Sequence, residues 1–286
     1  MAAKPRIVIV GAGNLGSALA PALGRAGYRI EAIVARSIGV SLKSAKKLAR
    51  EVGAKVVSAL TDVRTDVVWL CVPDGEIARA ARSLAANAGW KGKVVLHSSG
   101  ALSSDALAPL RARGAAVGSA HPLMTFVAGA RPSLAGVPFA IEGDASAVRV
   151  ARRIVRDLGG QAYPIRKKDK AAYHAWGTFA SPLFTALLAT TERVADMAGV
   201  KAKEARRRMI PILLQTLANY AAFGAAKGFS GPIIRGDVET VERHLRALHK
   251  VPAAREVYLS LALAAVDALP GKNKAAMRET LRSARG

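Results

Sequence analysis

Ile7-Val8-Ile9-Val10-Gly11-Ala12-Gly13-Asn14-Leu15-Gly16 sets a short β-branched run directly against a glycine-rich turn, and a small-residue helical pattern follows at once. Such a run reads as a strand buried on both faces, as in a parallel sheet. Its glycines follow the pattern G-x-G-x-x-G. Gly11 allows the tight turn, Gly13 lets the backbone approach a pyrophosphate, and Gly16 lets the helix pack closely on the strand. The first N–H groups of that helix, around Asn14, Leu15 and Gly16, lack internal partners and carry its positive end, so they form an anion site.

The rest of the first half repeats the alternation. Strands are expected at Arg6–Val10, Arg29–Ala35, Lys55–Val57, Asp66–Val72, Lys93–His97, Ala116–Ser119, Val137–Glu142 and Gln161–Ile165. Helices fall between them, at Asn14–Arg25, Ser41–Val52, from Asp74 to about Ala88, Ser104–Arg113 and Ala145–Leu158. Pro21 removes a backbone hydrogen bond and should kink the last turns of the first helix. After Ile165 the strand signals stop. Helical patterns follow at Lys168–Ala198, Ala202–Lys227, Val238–Leu248, Ala253–Ala268 and Lys272–Ala284. The chain therefore reads as an α/β nucleotide-binding domain with a mostly parallel, doubly wound sheet over residues 1–165, followed by an all-α domain over 166–286.

At 286 residues and 51% apolar content, the chain has material for two cores. The only cysteine, Cys71, excludes a disulfide or a cysteine-based metal site within one chain; no metal is expected, and a reducing, cytoplasmic setting is. The sequence before the first strand is too short for a signal peptide, and no continuous run reaches the 18 or so apolar residues of a membrane span. The formal charge of +23 suits an anionic ligand. The basic residues are scattered, with short clusters such as Arg206-Arg207-Arg208, so a solvated surface is preferred to nucleic-acid binding.

The end of the second strand reads Val34-Ala35-Arg36-Ser37, without the acid that accepts from the ribose hydroxyls of NAD. Arg36 can stack on adenine and pair with a 2′-phosphate, and Ser37 can donate to it, with Lys43 or Lys46 adding charge. This favours NADP over NAD. Cys71, Val72 and Pro73, at the end of the fourth strand, are placed to wall the nicotinamide-ribose pocket.

Ligands of open parallel sheets bind outside the carboxyl ends of the strands. Those ends carry His97-Ser98-Ser99-Gly100 and His121-Pro122-Leu123. Ser98, Ser99 and His121 bring hydroxyls and an imidazole there, either for chemistry or as turn caps and a structural hydrogen bond. His97 still belongs to its strand and should point into the fold. On the next helix, His174, Thr178, Ser181 and Thr185 fall at helical spacing and are expected to share one face. The hydroxyls can equally bond back to the preceding turn. Asp237 should cap a helix, and Arg235 just before it can clamp a carboxylate or sit in solvent.

Together with the opening fingerprint, Cys71-Val72-Pro73-Asp74, His97-Ser98-Ser99-Gly100, His121-Pro122-Leu123, Tyr173-His174-Ala175 and Gly231-Pro232 through Arg235-Gly236-Asp237 resemble a bacterial family. Its members join a Rossmann-like NAD(P)-binding domain to a helical C-terminal domain of unknown function (DUF2520). More distantly, the layout is similar to pyrroline-5-carboxylate reductases and to the 6-phosphogluconate and β-hydroxyacid dehydrogenases. In that wider group the corresponding helix carries a catalytic lysine with an asparagine four residues later. That pair is absent here, and His174 and Thr178 stand in a comparable relation. Members of the closer family often read Ala-Ser-Asn where this chain has Ala180-Ser181-Pro182.

The resemblance implies a 6-phosphogluconate dehydrogenase-like helical domain, a homodimer formed through it, and an NADP-dependent oxidoreductase acting at the domain cleft on a small anionic carbonyl, hydroxy or imine compound. His174 or His121 would move the proton, Ser98 and Ser99 would orient the reacting atom, and Arg235 would hold a carboxylate. The other expectation is a protein that binds or senses NADP without turnover.

Overall fold

The computed structural model describes residues 3–35, 39–60, 64–86 and 89–285. In order, the first elements are β1 (Ile7–Val10), α1 (Asn14–Arg25), β2 (Ile30–Val34), α2 (Val40–Val52), β3 (Lys55–Val57), β4 (Val67–Leu70) and α3 (Asp74–Ala85). They are followed by β5 (Val94–His97), a 3-10 turn at Ser104–Leu107, α4 (Ala108–Arg111), β6 (Ala116–Pro122), β7 (Pro138–Gly143), α5 (Ala145–Asp157) and β8 (Gln161–Pro164). The strands form one sheet in the order β3-β2-β1-β4-β5-β6-β7-β8. Every pairing is parallel except β6 with β7. The order reverses direction between β1 and β4, so the ligand crevice of such sheets falls at their carboxyl ends.

The alternation of side chains splits the core in two. Ile7, Ile9, Ile33, Trp69 and Leu96 belong to the apolar cluster on one face of the sheet, and Val8, Val10, Val68, Leu70 and Val95 to the cluster on the other. A strand apolar at every position is the expected solution when helices cover both faces. Helix α1 runs through Pro21 to Arg25.

The helical part comprises α6 (Lys170–Thr178), a π-turn at Phe179–Leu183, α7 (Phe184–Met197), α8 (Ala202–Gly228), α9 (Pro232–Arg235), α10 (Val238–Leu248), α11 (Pro252–Ala268) and α12 (Lys274–Ser283). The chain divides into compact units at Ala180/Ser181. The loss of strand signals after Ile165 precedes that division because α6 packs on the sheet and buries Lys170 and Tyr173. Two expectations are corrected here. The helix read as continuous over residues 168–198 is interrupted by the π-turn, which contains Pro182. Proline has no N–H and its ring crowds the preceding turn's carbonyl, so the regular ladder cannot pass through it. His174, Thr178, Ser181 and Thr185 therefore do not form a single regular stripe.

The second correction concerns Ala202–Arg235, which contains an 18-residue window with a mean hydropathy of 1.3 and is long and apolar enough to cross a membrane by length and composition. Isolated polar residues such as Gln215 and Asn219 break any continuous run there, yet the average passes. In the second unit, Val241, Leu245, Leu259, Ala262, Val266, Met277 and Leu281 form a small core from α10, α11 and α12. The side chain of Asp237 caps α10 by accepting from the N–H of Thr240, as its position implies.

Candidate functional site

The glycine turn has the geometry its sequence requires. Gly11 takes φ +102°, and a Cβ there would lie 2.6 Å from the Cys71 carbonyl oxygen. A Cβ on Gly16 would strike the Gly11 carbonyl, whereas Gly13 faces open space. The N-terminus of α1 has no side-chain cap and no acid in its first turn, so its N–H groups remain available to an anion. A cavity of about 690 Å³ opens beside it, lined by Gly11, Gly13, Ser41, Cys71, Val72 and Pro73 among others. An exposed backbone face, uncapped helix N–H groups and a cavity of this size fit a dinucleotide diphosphate. Asn14 donates its side-chain amide to the Phe126 carbonyl at 3.0 Å, tying the fingerprint to the segment after β6. Leu15 packs against the core. Arg36 and Ser37 lie outside the described residues. Burial pushes the Cys71 thiol up to about 12, so it stays a neutral wall.

From Pro73 the site continues into α3. Asp74 accepts the Ser99 hydroxyl proton at 2.7 Å, and the same hydroxyl oxygen accepts the N–H groups of Ala101 and Leu102. Ser98 accepts from the Trp69 indole N–H at 2.8 Å. Both serine hydroxyls thus hold the turn after β5. His97 is fully buried, with Nε2 at 3.0 Å from the Ser103 carbonyl, and burial lowers it to about 4. This is the inward orientation that its strand position implies.

Over this turn the two other histidines meet. A Cβ on Gly100 would lie 2.6 Å from His174 Cδ2 and 2.9 Å from His121 Nε2, so both imidazoles press on a residue that has no side chain. Their rings stand edge to face with centroids 6.0 Å apart. Nδ1 of His121 is 2.7 Å from the Tyr173 hydroxyl. Burial, reinforced by the nearby Lys170 ammonium, lowers His121 to about 4, so this imidazole is neutral near pH 7.

Helix α6 supplies these partners because its repeat matches that of β6. Ser119, His121 and Leu123 share one side of the extended chain and meet Lys170, Tyr173 with His174, and Gly177. Seven helical residues rise about 10 Å and four strand residues about 13 Å, so successive turns meet alternate strand residues. Lys170 is the site residue that the sequence reading missed. It is fully buried and donates to the Ser99 carbonyl at 2.9 Å and to the Ser119 hydroxyl at 2.6 Å. The signal was its i, i+4 relation to His174, masked by the flanking basic run Arg166-Lys167-Lys168.

Thr178 bonds back to the His174 carbonyl at 2.9 Å, and Thr185 back to that of Ser181 at 3.1 Å. Arg235 belongs to the second unit, is exposed, and forms no ion pair among the described residues.

A glycine cradle at the switch point of a parallel sheet, followed by a largely helical region, defines the class: a Rossmann-like dinucleotide-binding domain with a C-terminal helical domain. Sequence profiles agree, a Rossmann-like domain matching residues 1–122 and a domain of unknown function (DUF2520) matching residues 137–265. The chain is therefore of the type that joins these two domains.

Among solved structures it is similar to a Thermotoga maritima protein (TM1727; 26% identity, TM-score 0.70, covering 98% of this chain and 100% of that one). It is also similar in fold to a reductive aminase from Aspergillus terreus in complex with NADPH and ethyl-5-oxohexanoate (16% identity, TM-score 0.67, 97% and 99% covered). A pyrroline-5-carboxylate reductase from Coxiella burnetii shares the fold as well (15% identity, TM-score 0.58, 99% and 98% covered). Among curated proteins none matches the chain.

Proposed function

We propose that this protein is an NADP-dependent oxidoreductase acting on a small, anionic carbonyl, hydroxy or imine compound. The observation that carries the reading is the pair of imidazoles packed over Gly100, joined through Ser99 and Asp74 to the wall of the dinucleotide cavity. The similar structures named for C=N chemistry or holding NADPH support it. Gly11, Gly13 and the first N–H groups of α1 would hold the diphosphate. Arg36 and Ser37 would take the 2′-phosphate, and Cys71, Val72 and Pro73 would wall the nicotinamide side. When bound, the dinucleotide supplies or accepts a hydride.

The chain's own residues handle the proton. In the tautomer that carries its ring proton on Nε2, neutral His121 accepts the Tyr173 hydroxyl at Nδ1 and presents the Nε2–H as a donor on the Gly100 side. It can polarise a substrate oxygen or nitrogen there. His174 then gives a proton to that atom during reduction and takes it back during oxidation.

The test is NADPH consumption with a panel of cyclic imines and keto acids. His174→Ala and His121→Ala should each lower kcat/KM by about 10²-fold or more while calorimetry still detects cofactor. If neither change lowers kcat/KM, the proton assignment is wrong. Stoichiometric NADPH binding with no turnover across the panel would instead select a binding or sensing role.

The same reading includes a cytoplasmic setting and a homodimer, and the exposed apolar side chains of the second unit support the homodimer. Ile210, Ile212, Leu214, Leu217, Tyr220 and Phe223 of α8 stand between 45% and 68% exposed. These side chains lie around the helix, and exposed apolar surface of this kind marks an interaction surface that a second copy, carrying the same helix, can cover.

A further inference from the structure

Lys170 has a burial and bonding pattern that the acid–base chemistry does not use. Its side chain crosses from α6 to the turn after β5 and the middle of β6 and is fully buried. Its Nζ donates to the Ser99 carbonyl at 2.9 Å and to the Ser119 hydroxyl at 2.6 Å. The Ser119 hydroxyl itself donates to the same Ser99 carbonyl at 3.3 Å, which closes a three-membered polar cluster. Among the described residues Lys170 forms no ion pair. A buried ammonium without a carboxylate is expensive, and surface lysines have no need of one. The nearest acids are committed elsewhere. Asp74 at the start of α3 accepts the Ser99 hydroxyl, and Glu142 on β7 accepts the N–H and hydroxyl of Ser104.

The other groups facing this cluster are His97 on β5, His121 on β6, and Tyr173 and His174 on α6 itself. The Ser99 carbonyl precedes Gly100, the residue on which both imidazoles rest. The ammonium therefore fixes the turn under His121 and places a positive charge beside it.

We propose that Lys170 is a positioning residue: its clamp on Ser99 and Ser119 sets the Gly100 platform, and its charge keeps His121 in the neutral, hydrogen-bond-donating form. The inference rests on the reading of His121 and His174 as the donor and acid–base pair, and it deepens that reading. His174 is then left as the group that carries the proton. Two shifts agree with this geometry. Burial pulls Lys170 down to about 8, with Glu142 and Asp74 acting in the opposite direction, so it is still cationic at pH 7. Burial and then Lys170 pull His121 down to about 4.

The experiment is an NMR titration of the cofactor-free full chain, following His121 imidazole and Lys170 Nζ resonances, with no substrate or turnover required. In the native chain His121 should remain neutral down to about pH 5. Lys170→Met, which keeps the length and removes the charge, should raise the His121 midpoint by about one unit, whereas Lys170→Arg should hold it near the native value. A His121 midpoint unchanged in Lys170→Met overturns the proposal. Should Lys170→Met fail to fold, the native titration decides. His121 charging above pH 6 while Lys170 is protonated overturns the proposal, and a neutral His121 beside a protonated Lys170 at that pH supports it. Absence of NADPH turnover would remove the oxidoreductase reading and leave these midpoints unmoved, so the two failures are distinguishable.

Discussion

Strand β1 and helix α8 are both apolar, yet Ile7, Val8 and Ile9 are fully buried while Ile212, Leu214 and Phe223 stand 68%, 62% and 61% exposed. The strand finds its cover within its own unit, from neighbouring strands and from helices on both faces of the sheet. Helix α8 buries only Ala205 along its whole length, and α7 buries nothing. The sheet unit also pairs buried polar groups internally, as at Glu142 with Ser104 and at Lys170 with Ser119, while the buried Tyr163 hydroxyl has no hydrogen-bond partner among the described residues. The contrast teaches that the first unit covers its own apolar strands, while the second leaves the apolar side chains of α7 and α8 exposed. Apolarity alone does not tell these two cases apart.

The sharpest way to break the comparison is glycine replacement in both units. In Gly16→Ala the new methyl meets the Gly11 carbonyl inside a rigid turn, so a loss above about 3 kcal/mol, or of NADPH binding altogether, is expected in denaturant unfolding and calorimetry. Gly224→Ala, at the kink of α8, has φ +70° and ψ 175°, a conformation nearly confined to glycine, but meets open space, and should cost about 1–3 kcal/mol. Equal effects would refute the division into a tightly packed and a loosely covered unit.

Next in size is the proposed dimer interface. Leu217→Glu combined with Phe223→Glu should halve the mass seen by light scattering while leaving the sheet unit's near-ultraviolet signal from Trp69 and Trp90 intact. A native chain that is already monomeric at micromolar concentration contradicts the dimer.

Acid should act on the sheet unit first. His97 and His121 are lowered to about 4 by burial, from the ordinary value near 6.5. The stability they hold is complete above pH 6.5 and is lost as pH falls towards 4, by up to about 2.7 kcal/mol per pH unit when both act. Urea midpoints at pH 7, 6 and 5 would show this slope, and His97→Gln should roughly halve it. The smallest effect expected is that of Tyr173→Phe. It leaves His121 Nδ1 without its partner, at about 1–2 kcal/mol, and should displace the His121 titration.

Much of the fold was legible because it rests on local patterns. The glycine turn, the fully apolar strands and the cap at Asp237 each state their structure within a few residues. The inward orientation of His97 followed from strand position alone. The site was legible only in part, because its contacts join segments about fifty residues apart. Sequence placed Ser98 and Ser99 at the strand ends, and the structure shows their hydroxyls holding the turn. Helical spacing grouped His174 with Thr178, Ser181 and Thr185, whereas the face that meets β6 runs through Lys170, His174 and Gly177. His174 belongs to both sets, and Lys170 and Gly177 fall on the same side of the helix as Thr178, so the stripe was read on the right face but begins one turn earlier, at Lys170. The buried lysine was hidden because a charge beside a basic run reads as surface.

The matched spacing of α6 and β6 has a consequence for how such chains can vary in length. One residue inserted between Lys170 and Gly177 would rotate everything after it by about 100° and separate the serine, imidazole and glycine contacts together. A deletion in β6 would reverse the facing of every later side chain. Length changes should therefore collect in the segment between Leu123 and Pro138, while these two stretches keep a constant residue count.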